Sequence, residues 1–168
     1  VAGGLCTGTL IDPDVVLTAG HCVYLPSEGI NAVNNPGSLE ILGGADIFEW
    51  GGAIFYSNVQ EVVIHPDWSG NISASGAVDL AMLHLSTSVT EIPYYGVREA
   101  PSASVGDEGW IVGYGLSSSN LPNSSGVHRQ GETEIQQLFS DLMELGNPTG
   151  TCSGDSGGPF FTNQGGQW

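Results

Sequence analysis

Apolar residues along this chain come in short, partly alternating runs separated by turn chemistry, the pattern of half-buried strands. Leu5 to Ile11 and Val15 to Thr18 read as the first two strands. Asp12-Pro13-Asp14 between them reads as a turn, because proline pre-sets its own φ. Ala19-Gly20-His21-Cys22 follows as a tight turn, and residues 26–38, rich in Pro, Gly and Asn, read as a polar loop. Leu39 to Leu42, Ala53 to Tyr56 and Glu61 to Ile64 predict three more strands, the last ended by His65-Pro66. Residues 69–77 read as loop, and Leu80 to Leu85 is an apolar run of strand length. Residues 86–107, broken by Pro93, Pro101 and Gly106, predict the connection between two halves. Beyond it, Trp110 to Val112 and Pro159 to Thr162 read as strands and Ser117 to Gly126 as a polar loop. Residues 132–145 pull the other way: Ile135, Leu138, Phe139 and Leu142 match the i, i+3, i+4, i+7 template of a helix.

Composition supports the strand reading. Among 168 residues, 26 glycines and 9 prolines favour short strands joined by turns over helical bundles, and a hydrophobic content of 40% is enough for a core. The length fits one domain. Eighteen acids against two bases, Arg98 and Arg129, give a formal net charge of −16. That excludes nucleic acid as a default partner, since phosphate binding needs a basic footprint. It also argues against docking on anionic lipid. No stretch approaches the ~18 uncharged apolar residues of a spanning helix, so no membrane partner is expected.

Of three cysteines, Cys6 and Cys22 lie near the start and Cys152 sits alone. Without a C-x-x-C pair, a zinc ribbon or thioredoxin-type motif is not supported. The odd count suggests an exported protein that lacks a partner cysteine, or one reactive thiol. The loop Gly44 to Gly52 offers only Asp46 and Glu49 as carboxylates, so no metal site is expected there, and nothing calls for a cofactor.

Three segments carry candidate chemistry. In Gly154-Asp155-Ser156-Gly157-Gly158-Pro159 a serine sits among glycines, where the backbone can approach a substrate closely and N–H groups can converge on an oxyanion. Taken alone, the string is also compatible with an ordinary loop. His21, in Leu17-Thr18-Ala19-Gly20-His21-Cys22, is a candidate general base beside a cysteine that can tie it back to Cys6. Asp79, just ahead of Leu80-Ala81-Met82-Leu83-His84-Leu85, is either a solvated turn residue or the acid that fixes the imidazole tautomer. Serine is a weak nucleophile until a base activates it. The chain holds one candidate of each kind, in the order His, Asp, Ser. His65, His84 and His128 have no such role, and alternation should point His84 away from Asp79.

At these residues the chain resembles the chymotrypsin/trypsin-like serine endopeptidase family. Cys6-Thr7-Gly8-Thr9-Leu10-Ile11 is similar to the family's Cys-Gly-Gly-x-Leu-Ile, with Thr7 in place of a glycine. Thr18-Ala19-Gly20-His21-Cys22 resembles Thr-Ala-Ala-His-Cys, His65-Pro66-Asp67-Trp68 resembles His-Pro-x-aromatic, and Asp79-Leu80-Ala81-Met82-Leu83 resembles Asp-Leu-Ala-Leu-Leu. Gly113-Tyr114-Gly115 stands where Gly-Trp-Gly is usual, and the serine motif matches in full. The resemblance implies an all-β fold of two six-stranded antiparallel Greek-key barrels, incomplete at both ends, with the first over about 1–88 and the second over about 105–168. Residues 132–145 would then be strand, since barrel context can override a local helical pattern. It implies a catalytic triad of Ser156, His21 and Asp79, an oxyanion hole from Gly154 and Ser156, and a disulfide between Cys6 and Cys22. Gly150 and Thr151 would form an uncharged substrate pocket with a non-basic P1 preference. The expected partner is a polypeptide substrate, and the expected state is a secreted monomer.

Departures from the family pattern set further expectations. Val1-Ala2-Gly3-Gly4 resembles the family's new N-terminus, but Cys6 follows too soon, so Asp155 has no evident ammonium partner. The partner of Cys152 and one pocket wall are also missing, and the chain reads as a fragment of a longer protease. The alternatives are a catalytically inactive fragment and a protease-like binding module, which the presence of all three triad residues disfavours.

Overall fold

The computed structural model describes residues 4–74, 76–97, 103–139 and 142–162. Among them there is no α-helix, and the regular structure is strand plus three short 3-10 turns. β1 (Thr9–Asp12) and β2 (Val15–Thr18) form the hairpin that the Pro13-Asp14 turn predicts, with Asp12 opposite Val15. β1 is shorter than the run Leu5 to Ile11. Thr7 leaves the hairpin ladder and donates its N–H to Ser156 O at 2.9 Å, so this stretch serves the other half of the molecule. A two-residue ladder pairs β3 (Tyr24–Leu25), just ahead of the loop 26–38, with β4 (Ile30–Asn31) inside it.

β5 (Glu40–Gly44) pairs with β6 (Ala53–Ile64), and β6 with β7 (Ala81–Leu85), giving a first antiparallel sheet in the order β1-β2-β7-β6-β5. The two strands expected at 53–56 and 61–64 are one strand of 12 residues. Polar letters hid the continuity. Asn58 and Gln60 face out, while buried Ser57 satisfies its hydroxyl on Asn58 O and Thr87 O, each at 3.2 Å. Alternation on β7 buries Ala81, Leu83 and Leu85 and turns Met82 and His84 outward. Leu83 and Leu85 meet Leu10, Val16, Val23 and Val59 in the core, where each fully buried side chain is worth ~1.5–3 kcal/mol.

The second antiparallel sheet runs β10-β9-β8-β11, from β8 (Glu108–Gly113), β9 (Arg129–Leu138), β10 (Met143–Gly146) and β11 (Phe160–Thr162). Residues 132–145 are therefore largely strand, as the resemblance implies, not helix. Thr133 and Ile135 point inward two residues apart, with Ile135 only 1% exposed, while Leu138, Phe139 and Leu142 lie on the surface. A helix would have needed all four apolar residues on one buried stripe; the sheet needs only the inward pair.

The halves are stitched along a seam. Tyr114 Oη donates to Gly44 O at 2.9 Å and accepts from Gly44 N at 3.2 Å. Ile47 N–H donates to Gly126 O and His128 N–H to Ala45 O, both at 2.9 Å. In the connection, Tyr95 N–H reaches Leu10 O at 2.9 Å and its ring lies 4.8 Å from that of Phe161. A cleft of about 1460 Å³ opens between the sheets, with His21, Gly154 and Ser156 on its wall.

Candidate active site

β2 ends at Thr18, and the chain tightens into a 3-10 turn, Gly20–Cys22, that carries His21. The turn rests on Trp68, which is 4% exposed and donates its Nε1–H to Tyr24 O at 2.9 Å. A Cβ on Gly20 would lie 3.0 Å from the indole, a tight contact that a shift of a few tenths of an ångström would relieve, so the turn packs closely on the ring. Cys22 is disulfide-bonded to Cys6. Its sulfur lies 3.8 Å from both His21 Nε2 and Ser156 O, a packing contact, since a disulfide sulfur carries no proton.

Asp79 sits two residues ahead of β7. Its Oδ1 accepts the backbone N–H of His21 and its Oδ2 meets His21 Nδ1, each at 2.7 Å. An ionised carboxylate only accepts, so Nδ1 carries a proton, and in the neutral imidazole the lone pair is then on Nε2. The side chains are 24% and 33% exposed.

The serine loop is two overlapping turns, with Asp155 N–H to Cys152 O at 3.0 Å and Gly158 N–H to Asp155 O at 2.9 Å. Gly154 (φ +99°) and Gly157 (φ +82°) adopt left-handed backbone that favours glycine. A Cβ on Gly157 would lie 2.2 Å from Thr18 Oγ1, so the loop can press against the first sheet only with glycine there. Asp155 Oδ1 accepts from Gly115 N at 2.8 Å and Oδ2 from Cys152 N at 2.9 Å. Arg129 donates to Gly115 O at 3.0 Å, holding the same turn from the other side. The N-terminal residues Val1 to Gly3 lie outside the described residues.

Serine and histidine share the cleft wall, but among the described residues no hydrogen bond joins Ser156 Oγ to His21 Nε2. The Gly154 and Ser156 N–H groups likewise make no hydrogen bond to a described residue and are free to donate. Gly150 and Thr151 are exposed on the segment leading to the loop and do not line this cleft. His84 pairs with Asp14 at 3.1 Å and with Gln60 at 2.9 Å, away from Asp79. Cys6, His21 and Cys22 lie close enough to share an ion, but the two sulfurs are bonded to each other and offer no thiolate.

The sequence profile of the trypsin family matches residues 1–167. The chain belongs to the trypsin family. This trypsin-family chain is 29% identical over 173 residues to chymotrypsin-like elastase family member 1 of Macaca fascicularis, a match covering 92% of the chain and 61% of that relative. It thus spans less than two thirds of that relative's length. Solved structures that share its fold include neuropsin and human heparin binding protein. Neuropsin, a serine protease expressed in the limbic system of mouse brain, matches with a TM-score of 0.74 at 20% identity, over 95% of this chain and 72% of that one. Human heparin binding protein matches with a TM-score of 0.73 at 18% identity, over 94% and 70%. The fold is the chymotrypsin-like pair of β-barrels.

Reading the motifs alone misses four trypsin-family site neighbours. Trp68 is the platform of the histidine turn, Tyr114 Oη reaches Gly44 across the seam, Arg129 clamps Gly115, and Thr7 fastens the serine loop. Thr7, Trp68 and Tyr114 stand within the sequence motifs, Thr7 and Tyr114 as departures from the family's Gly and Trp, but the sequence alone assigns none of the four a role at the site.

Proposed function

We propose that the full-length protein is a serine endopeptidase. The observation that carries this reading is the carboxylate of Asp79, which takes both the backbone N–H and the Nδ1–H of His21. That arrangement leaves Nε2 as a base facing the same cleft as Ser156. In the reaction, Ser156 Oγ attacks the scissile carbonyl carbon as its proton passes to His21 Nε2. The carbonyl π pair moves to oxygen, which the N–H groups of Gly154 and Ser156 stabilise. The tetrahedral intermediate collapses, the C–N bond breaks, and His21 returns the proton to the leaving amine, giving an acyl-enzyme. Water, deprotonated by His21, then attacks the acyl carbon, Ser156 leaves with the proton, and the acid product is released. Asp79 stays ionised throughout and stabilises the imidazolium.

The substrate is a polypeptide with a non-basic P1 residue, received by Gly150 and Thr151. A Cβ on Gly150 would meet nothing within 4 Å, so this stretch offers open, uncharged space. Barrels over about 1–88 and 105–168 flank the cleft, and the enzyme is a secreted monomer. Among the described residues no helix is long and apolar enough to cross a membrane. A net charge of −16 is unsuited to a polyanion of the kind the heparin binding protein is named for.

The test is a fluorophosphonate serine probe with paired Arg-, Phe-, Leu- and Ala-P1 peptide amides on the full-length protein. Ser156 should be labelled, and Ser156→Ala or His21→Ala should each cost up to ~10⁶-fold in kcat if the triad acts as a unit. Full peptidase activity in Ser156→Ala removes the assignment. Faster cleavage after Arg than after Phe, Leu or Ala removes the P1 reading.

A further inference from the structure

We infer that Thr7 is a positioning residue for the oxyanion donors, an inference that rests on the peptidase reading above. Thr7 lies on the first half's chain, is 4% exposed, and has every polar group committed. Its N–H donates to Ser156 O at 2.9 Å, and its hydroxyl donates to Gly154 O at 2.8 Å. The same hydroxyl accepts the Tyr114 N–H at 3.1 Å, and the Thr7 carbonyl accepts from Thr18 Oγ1 at 2.8 Å. The methyl side packs beside Gly158, where a Cβ would come 3.2 Å from Thr7 Cγ2.

The position of the hydroxyl bond gives it a consequence for chemistry. The Gly154 carbonyl belongs to the peptide joining Gly154 to Asp155, and the N–H of that peptide is held on Cys152 O at 3.0 Å. This one peptide is pinned at both ends. The N–H groups of Gly154 and Ser156 belong to the peptides immediately before and after it, so its rotation would re-aim both donors. The loop cannot hold that setting through intrinsic preference, since Gly154 and Gly157 are the residues whose backbone is least restricted. The restraint comes from outside, from a side chain across the seam. A buried hydroxyl that serves one donor and one acceptor fixes direction better than an apolar contact, because leaving either partner unpaired is costly.

Thr7 also reaches the other support of the loop. Tyr114, whose N–H it accepts, precedes Gly115, whose N–H binds Asp155 Oδ1. Tyr114 Oη in turn exchanges hydrogen bonds with Gly44 of β5. One hydroxyl thus couples the peptide between the donors to the turn that anchors the Asp155 side chain.

The experiment compares Thr7→Val, which keeps the shape and removes the hydroxyl, with Thr7→Ser, which keeps the hydroxyl. Both are made in the full-length protein, with wild type and Ser156→Ala as references. Active sites are counted with the fluorophosphonate probe, and kcat and KM are measured on one peptide amide. Binding is also measured for a peptide aldehyde, which forms a tetrahedral oxyanion on the serine. Loss of a donor outright costs ~100- to 1000-fold, and displacing both should cost part of that, so Thr7→Val should lower kcat per titrated site by ~10- to 100-fold. KM should stay within about threefold, as for an interaction made in the transition state. Aldehyde affinity should fall in parallel with kcat, and Thr7→Ser should restore both. If Thr7→Val does not fold, Thr7→Ala against Thr7→Ser supplies the same comparison. Wild-type kinetics in the hydroxyl-less variant, or equal losses in the Ser variant, overturn the positioning role. A wild type that the probe does not label overturns the peptidase reading and this inference with it, which is a different result from either.

Discussion

Asp79→Asn is the sharpest test of how the histidine is set. In the native site one carboxylate faces two donors, the His21 backbone N–H and Nδ1–H, each at 2.7 Å. An amide in its place has one oxygen and one NH₂ group. The backbone N–H is a fixed donor, so the amide oxygen must turn to it, and the NH₂ group then faces Nδ1. His21 answers by moving its proton to Nε2, which can no longer accept from Ser156. Recovering the reactive tautomer needs the amide flipped, which sets donor against donor at the backbone and costs about 1–3 kcal/mol. The imidazolium formed in the reaction also loses its counter-charge, worth ~4 kcal/mol at 4 Å in an effective dielectric of 20, the value suited to a partly exposed pair. The sum of about 5–7 kcal/mol corresponds to a ~10⁴- to 10⁵-fold loss at 1.36 kcal/mol per decade. Solvent access to both side chains places the expected value at the lower end, ~10⁴-fold. The assay is kcat for a peptide amide in the full-length protein, normalised to titrated sites, with KM measured alongside. We predict the loss in kcat and a KM within about threefold of wild type. Retention of activity within about tenfold would refute the claim that Asp79 dictates the tautomer.

Removing the Cys6–Cys22 bond by a double alanine substitution should cost about 3 kcal/mol for a sequence separation of 16. For a domain of this size that lowers the melting temperature by about 6–12 °C, read by circular dichroism. An unchanged melt would show that the bond restrains little. Peptide mapping without reduction should find Cys6 linked to Cys22, and a Cys6–Cys152 link would count against the fold. A net charge of −16, with Glu108 directly opposite Glu134 across β8 and β9, predicts that the melting temperature rises with salt. Screening shortens from ~30 Å at 0.01 M to ~3 Å at 1 M NaCl, so the effect belongs to that interval, and a flat or falling melt would mean locally compensated charges.

What the sequence determined by itself was local. Turn chemistry at Pro13-Asp14, alternation at 81–85 and the glycines around Ser156 are near-neighbour properties, legible because one or two residues set them. The three candidate catalytic residues were equally legible, as unusual side chains in short ordered motifs. What only the tertiary structure decided depended on partners far along the chain. The 12-residue span of β6 needed Thr87 O to satisfy Ser57, and strand rather than helix at 132–138 needed β8 and β10 to pair with β9 on its two sides. The same holds for the support of the site. Thr7 meets Gly154 across 147 residues and Asp79 meets His21 across 58. A hydroxyl or carboxylate in sequence carries no sign of which distant N–H it will take, because that choice is made by burial, where every polar group must find whichever partner the packed sheets bring within reach.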